Sequence, residues 1–185
     1  MKKIITAVVL LGALSANASE ELYSKFHWGV NLSKGHDYDA IGLELHTKSL
    51  YSFRNFREMQ IHHSFLLGFD TYSVRNVLTD SNGDFKRGSA LGAHAGLRVL
   101  NSASSHYADI AVKYLSPDDE FAADSSVGMH VAIGYLIPYS IRENDSKVEH
   151  FKIALTYTDF LDKATKLASK PDLFNGFAIT LGGTF

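Results

Sequence analysis

The sequence predicts an all-β fold, an eight-stranded antiparallel up-and-down barrel, on three observations. The final stretch, Phe174 to Phe185, alternates with period two and ends on an aromatic. Phe177, Ile179, Leu181, Gly183 and Phe185 share one face, and Gly176, Ala178, Thr180, Gly182 and Thr184 share the other. Seven earlier segments alternate in the same way over about ten residues each, the length a tilted membrane strand needs. After Leu14, no run of about 18 residues is apolar enough for a membrane helix. Any crossing of a bilayer must therefore use strands.

The elements follow in order. Lys2 and Lys3, the short apolar run Ile4 to Leu14 and the small residues Ala16-Asn17-Ala18 have the make-up of a cleaved secretory signal peptide over residues 1–18. Residues 19–185 are then one domain. Its first strand, Lys25 to Ser33, carries Phe26, Trp28, Val30 and Leu32 on one face, and its second, Asp39 to Leu50, carries Ile41, Leu43 and Leu45. The third, Glu58 to Tyr72, presents Ile61, Phe65, Leu67 and Phe69; the fourth, Arg87 to Leu100, presents Leu91, Ala93, Leu97 and Val99. The fifth, His106 to Leu115, has Ile110, Val112 and Tyr114; the sixth, Val127 to Ile137, has Met129, Val131, Ile133 and Tyr135. The seventh, Val148 to Thr158, has Phe151, Ile153, Leu155 and Tyr157, and the closing strand is the eighth. Connections at 50–57, 101–105 and 138–147 fall on one side. Those at 33–38, 73–86, 116–126 and 159–172 fall on the other, and all but the first of these are longer.

The opposite faces of these strands collect Glu44, Asp70, Arg98, Asp109, Lys113 and Lys152, together with Gly29, Gly42, Gly68, Gly92, Gly96, Gly134 and Gly182. A soluble, lipocalin-like periplasmic binding barrel would turn the apolar set inward; a membrane barrel turns it to lipid. The glycines favour the second. Glycine weakens a solvated strand face, whereas a narrow eight-stranded lumen needs small residues beside long ones. Slipping one residue would set Arg98, Lys113 and Lys152 against lipid at about 2–4 kcal/mol each near the midplane. The chain has no cysteine, which excludes a lipoprotein anchor, disulfides and thiolate metal sites. Its net charge of −2 supplies no basic field for nucleic acid.

The signal segment, the alternating strands and the closing strand with Phe177, Ile179, Leu181 and Phe185 together resemble the small eight-stranded bacterial outer-membrane barrels of the OmpX and OmpA transmembrane-domain type. Gly183 stands where that family usually has a larger apolar residue. The resemblance implies a monomeric barrel in a Gram-negative outer membrane, embedded in lipid and lipopolysaccharide. It implies a closing strand read by the barrel assembly machinery, and a plugged lumen. It implies no one activity.

Histidines are the compositional oddity. By parity His27, His46, His62, His94, His130 and His150 point into the lumen, where with Glu44, Arg98, Asp109, Lys113 and Lys152 they predict a polar network. A pH-responsive cluster and a metal held by His27, His46, His62 and His150 are weaker alternatives. No tight spacing supports a metal, so neither metal nor cofactor is expected. His63 breaks the pattern, sharing the outward face of Ile61 and Phe65; a headgroup-level position or a bulge would account for it.

Acyl-transfer chemistry needs a nucleophile and a base within hydrogen-bond reach. Ser64 with His63, and Ser105 with His106, are strand neighbours that point apart. His130 with Ser125, Ser126 and Asp124 is the better set, but His130 faces the lumen while lipid lies outside. A non-catalytic structural or surface-interaction protein is therefore expected, with a small channel and a lipid A-modifying enzyme as alternatives.

In the loops, Asp80-Ser81-Asn82-Gly83-Asp84 reads as an Asn-Gly turn rather than a calcium loop. Asp118, Asp119, Glu120 and Asp124 read as solvated charge. Phe160, Ala164, Leu167 and Ala168 have helical spacing, and Lys163, Lys166 and Lys170 beside them are candidate lipopolysaccharide contacts. Tyr114 and Tyr157 suit an outer aromatic belt, and Phe26, Trp28, Phe151 and Phe185 an inner one.

Overall fold

A computed structural model describes residues 26–54, 60–79, 85–101, 104–118, 125–141, 148–161 and 173–184. Among them are nine strands: β1 His27–Lys34, β2 Tyr38–His46, β3 Tyr51–Arg54, β4 Gln60–Thr79, β5 Phe85–Asn101, β6 His106–Pro117, β7 Ser126–Ile141, β8 Val148–Phe160 and β9 Gly176–Thr184. Each pairs antiparallel with its neighbours in the order β2-β1-β9-β8-β7-β6-β5-β4-β3, and a further β2–β4 pairing closes the ring. β2 and the short β3 both lie against β4, so the wall is eight strands thick in circumference. Following the paired residues once round shifts the register by about ten residues, which tilts the strands by roughly 40° and leaves an interior that side chains fill.

The expected second strand is corrected here. It ends at His46, not Leu50. The Thr47 hydroxyl accepts the Phe65 N–H at 3.0 Å, and Thr47 N–H donates to the Phe65 carbonyl. The ladder resumes only with Tyr51 opposite His63. Two stretches expected as connections also extend the strands. β4 and β5 continue past Val74 after an irregularity, to Thr79 opposite Phe85. β7 runs to Ile141, with a shift of register between Pro138 and Ser140, where proline cannot donate to the ladder. The 35–37, 80–84, 118–125 and 161–175 connections share one end, called upper below; the start of β1 and the end of β9 share the lower end.

The apolar set faces outward throughout. Phe69 is 69% exposed, Ile133 65%, Phe177 65% and Ile41 61%. This parity is opposite to that of a soluble binding barrel. His63 stays on the outward face, at the lower end, opposite Tyr51 and Val99 in an unbroken ladder, so no bulge is needed to place it.

The inward glycines are spacers. A Cβ on Gly68 would meet the His94 ring, one on Gly42 the Asp70 carboxylate, and one on Gly134 the Tyr107 ring at 2.5 Å. In each case a long inward side chain lies over the residue opposite or beside it across the ladder, which is possible only where that neighbour has no side chain.

The interior is layered. At the upper end Tyr38, Tyr72, Val74, Leu115, Phe160 and Phe174 form one buried apolar cluster. Towards the lower end Leu100, Tyr107, Leu136 and Ala154 form another. The sequence reading assigned the inward face to polar and small residues and missed these apolar groups. In runs such as Phe65-Leu66-Leu67 or Tyr114-Leu115, both faces are apolar and the alternation is silent.

Candidate functional site: the buried ionic interior

The inward charged residues anticipated from the sequence are buried, except Asp70, which is half-buried. They form two groups. The lower one joins β2, β5, β6 and β8. Lys152 Nζ donates to both carboxylate oxygens of Glu44 at 2.6 Å. Arg98 grips Asp109 in a two-pronged pair, Nε to Oδ1 at 2.7 Å and Nη2 to Oδ2 at 2.6 Å, and its Nη2 also lies 3.5 Å from Glu44. The paired register of Arg98 and Asp109 on adjacent strands sets this geometry. Arg98 further stacks over the Tyr107 ring, 4.0 Å from its centroid. His46 Nε2 lies 3.1 Å from both Arg98 Nη1 and Glu44 Oε2. A single ring nitrogen serves one of them at a time: it accepts from Arg98, or donates to Glu44 in the other tautomer. Two cations and two carboxylates thus cancel within one layer.

The upper group is smaller. Lys113 Nζ lies 2.8 Å from Asp70 Oδ2 and His94 Nδ1 3.2 Å from the same oxygen, while the Tyr72 hydroxyl donates to it at 3.5 Å. His130 packs its ring 5.6 Å from that of His94, and its Nδ1 is 3.0 Å from the Thr158 hydroxyl. Asp70 is the hub of this group. Parity puts it on the inner face, but the expected network omits it, because His94 and Lys113 stand on β5 and β6 and no local spacing announces them.

No family model matches this chain, and no curated protein is similar to it in sequence. The interior must therefore be understood from its own geometry. It separates residues that the sequence grouped. His27, His46 and His62 line a lower cavity of about 30 Å³ with Ser64, Arg98 and Leu136, room for a water or two. His150 is buried too, opposite Thr184 in the ladder. His94 and His130 belong to the upper group. Among the described residues, no three or more His, Asp or Glu side chains are grouped as a metal ion requires. A second small cavity, about 20 Å³ and polar, lies between the two ionic groups and touches Glu44, Asp70, Lys113 and Lys152.

For the acyl-transfer candidates, the nearest hydroxyl bonded to His130 is that of Thr158. His106 is exposed and packs its ring 4.9 Å from that of Tyr135. On β9, Phe177, Ile179 and Leu181 all face outward, and Tyr157 on β8 stacks 4.9 Å from Phe177. Asp124, Lys163, Lys166, Lys170, Phe185 and residues 1–18, expected as a signal peptide, lie outside the described residues, as do Asp80 to Asp84 and most of the loop that carries the helical spacing.

Proposed function

We propose that the protein is an integral outer-membrane barrel of the OmpX and OmpA transmembrane-domain type, exported through a cleaved signal peptide. It acts as a structural or surface-interaction protein whose lumen is closed by its own charged side chains. One observation carries this reading: outward side chains are apolar all round the wall, while every inward charge named above lies beside an opposite charge and all but the half-buried Asp70 are buried. In water that pattern exposes most of the large apolar residues of the chain; in a bilayer it satisfies both faces at once. β6, β7 and β8, of 12, 16 and 13 residues, are long enough to cross the hydrocarbon core at this tilt, and β1, β2 and β9, of eight or nine, lie at the short end of the range of about 9–11 residues that a membrane strand needs. On this reading lipid and lipopolysaccharide surround a monomer, and the upper end, with its longer loops, faces outward.

Closure is favoured over a channel by the side chains filling the interior and by the small size of the two lumenal cavities. Two measurements test the reading. Urea-washed outer membranes, run heated and unheated on a denaturing gel, are expected to show a compact band that shifts on heating. The purified barrel in planar bilayers is expected to give no stable conductance steps. A soluble, unshifting band refutes the membrane assignment, and reproducible unit steps refute the closed lumen. Altered lipid A acylation in the mass spectra of expressing cells would replace the non-catalytic reading with an enzymatic one.

A further inference from the structure

Before β9 enters the wall, the chain turns into the barrel. Leu173 and Phe174 are 3% and 1% exposed, more buried than most strand residues, although they precede the strand. Phe174 crosses the upper mouth. β9 and β4 are separated round the wall by β1 and β2, yet the Phe174 ring reaches Tyr72 of β4 at 5.5 Å and Tyr38 of β2 at 6.0 Å. Those two tyrosines meet each other edge to face at 5.3 Å. Directly beneath, the Tyr72 hydroxyl touches Asp70, the hub of the upper ionic group.

The segment that carries Phe174 is held differently from the wall. The Asn175 side chain anchors it to the end of β8: its carbonyl accepts the Phe160 N–H at 2.9 Å, and its amide donates to Asp159 at 3.3 Å. Gly176 has φ of +109°, the only positive-φ glycine among the described residues, and the chain changes direction there. β1 ends at Lys34 opposite Ile179, so the first residues of β9 pair with β8 on one edge and have no β1 partner on the other. A plug side chain, a side-chain latch, a left-handed pivot and an edge without a β1 partner occur within four consecutive residues.

We infer that Leu173–Gly176 is a strap that closes the upper mouth, with Phe174 as stopper, Asn175 as latch and Gly176 as hinge, and that it separates outside water from the Asp70–Lys113 layer. This deepens the closed-lumen reading and rests on it. The strap governs entry of solutes to the upper interior, while the lower ionic group is a separate barrier beneath it.

The absence of native cysteine makes the test direct. Single reporters are placed at Ala40→Cys, in the upper apolar cluster, and at Ala154→Cys, in the lower one. Both are made in the full protein in detergent, and reaction with a charged, water-soluble maleimide is timed. With the strap intact, both are expected to react slowly. Adding Phe174→Ala is expected to speed the Ala40→Cys reporter by about a hundredfold, the weight of a buried phenyl ring in holding the mouth shut, and to leave Ala154→Cys unchanged. Adding Asn175→Ala instead keeps every apolar side chain of the cluster and is expected to speed it about fivefold through loss of the latch. It carries the test should Phe174→Ala lose the heat-shifted band. An Ala40→Cys rate unmoved by either folded variant overturns the strap while the closed lumen stands. Fast reaction of Ala40→Cys alone with the strap intact overturns it as well. Fast reaction of both reporters without any strap substitution overturns the closed lumen itself.

Discussion

The two ionic layers of the barrel solve one problem in different ways. The lower layer matches two cations to two carboxylates through bonds of 2.6 to 2.7 Å, with the Tyr107 face covering Arg98. The upper layer holds one carboxylate, Asp70, with one lysine, an imidazole and a phenol at 2.8 to 3.5 Å. In the lower layer the strong donors are a guanidinium and an ammonium, so removing one leaves a buried carboxylate without its main partner. In the upper layer an imidazole and a phenol share Asp70 with Lys113, and the loss of one is partly covered by the others. Charge is thus concentrated where the lock is tight and diluted where the mouth closes.

The largest expected effect tests the lower lock. Arg98→Met strands Asp109 and loosens Glu44, and is expected to lower the unfolding free energy by about 3–5 kcal/mol. Urea titration of the barrel in micelles, followed by tryptophan fluorescence, checks it. The double change Arg98→Met with Asp109→Leu removes both ends of the pair and is expected to recover most of that loss; a double variant as weak as the single one would mean that shape, not charge, holds this layer. Lys113→Met in the upper layer is expected to lose less, about 1.5–3 kcal/mol, because His94 and Tyr72 still reach Asp70. Equal losses at Arg98 and Lys113 would erase the distinction between the layers. Gly68→Ala pushes a methyl group into the His94 ring and is expected to lower stability by about 1–3 kcal/mol, with the largest chemical-shift changes at His94. The smallest effect is expected from His46→Ala with His62→Ala, about 1–2 kcal/mol in the same titration with the barrel fold retained. Both rings border the lower cavity, and the Arg98–Asp109 and Lys152–Glu44 pairs remain without them.

What could be read without the structure was the wall. Period-two alternation carries strand number, direction and facing, and the inward glycines carry the expectation that the apolar face points outward. Parity places both Glu44 and Lys152 inside but does not pair them, since β2 and β8 are separated round the wall by β1 and β9. The bond itself spans 108 residues of chain, and nothing near either residue encodes it. The same limit hid Asp70 as a hub. Thr47 broke the second strand early because a side-chain hydroxyl competed for a backbone N–H, a choice that depends on β4 being present. Phe174 was read as the first residue of the closing segment; its turn into the mouth depends on Tyr38 and Tyr72, contributed by strands far away in the chain.

The meeting of Glu44 and Lys152 also bears on how the barrel forms. β2 and β8 carry these residues on either side of the β1–β9 pair, where the two ends of the folded chain come together. Until that seam zips, Lys152 lacks its carboxylate partner and must keep its water, while Glu44 has only His46 and Arg98 beside it. Dehydration of the lower layer and joining of the first strand to the last are therefore one event. Such long-range closure makes assembly slow and all-or-none, and a ring that has not shut remains wet at its centre.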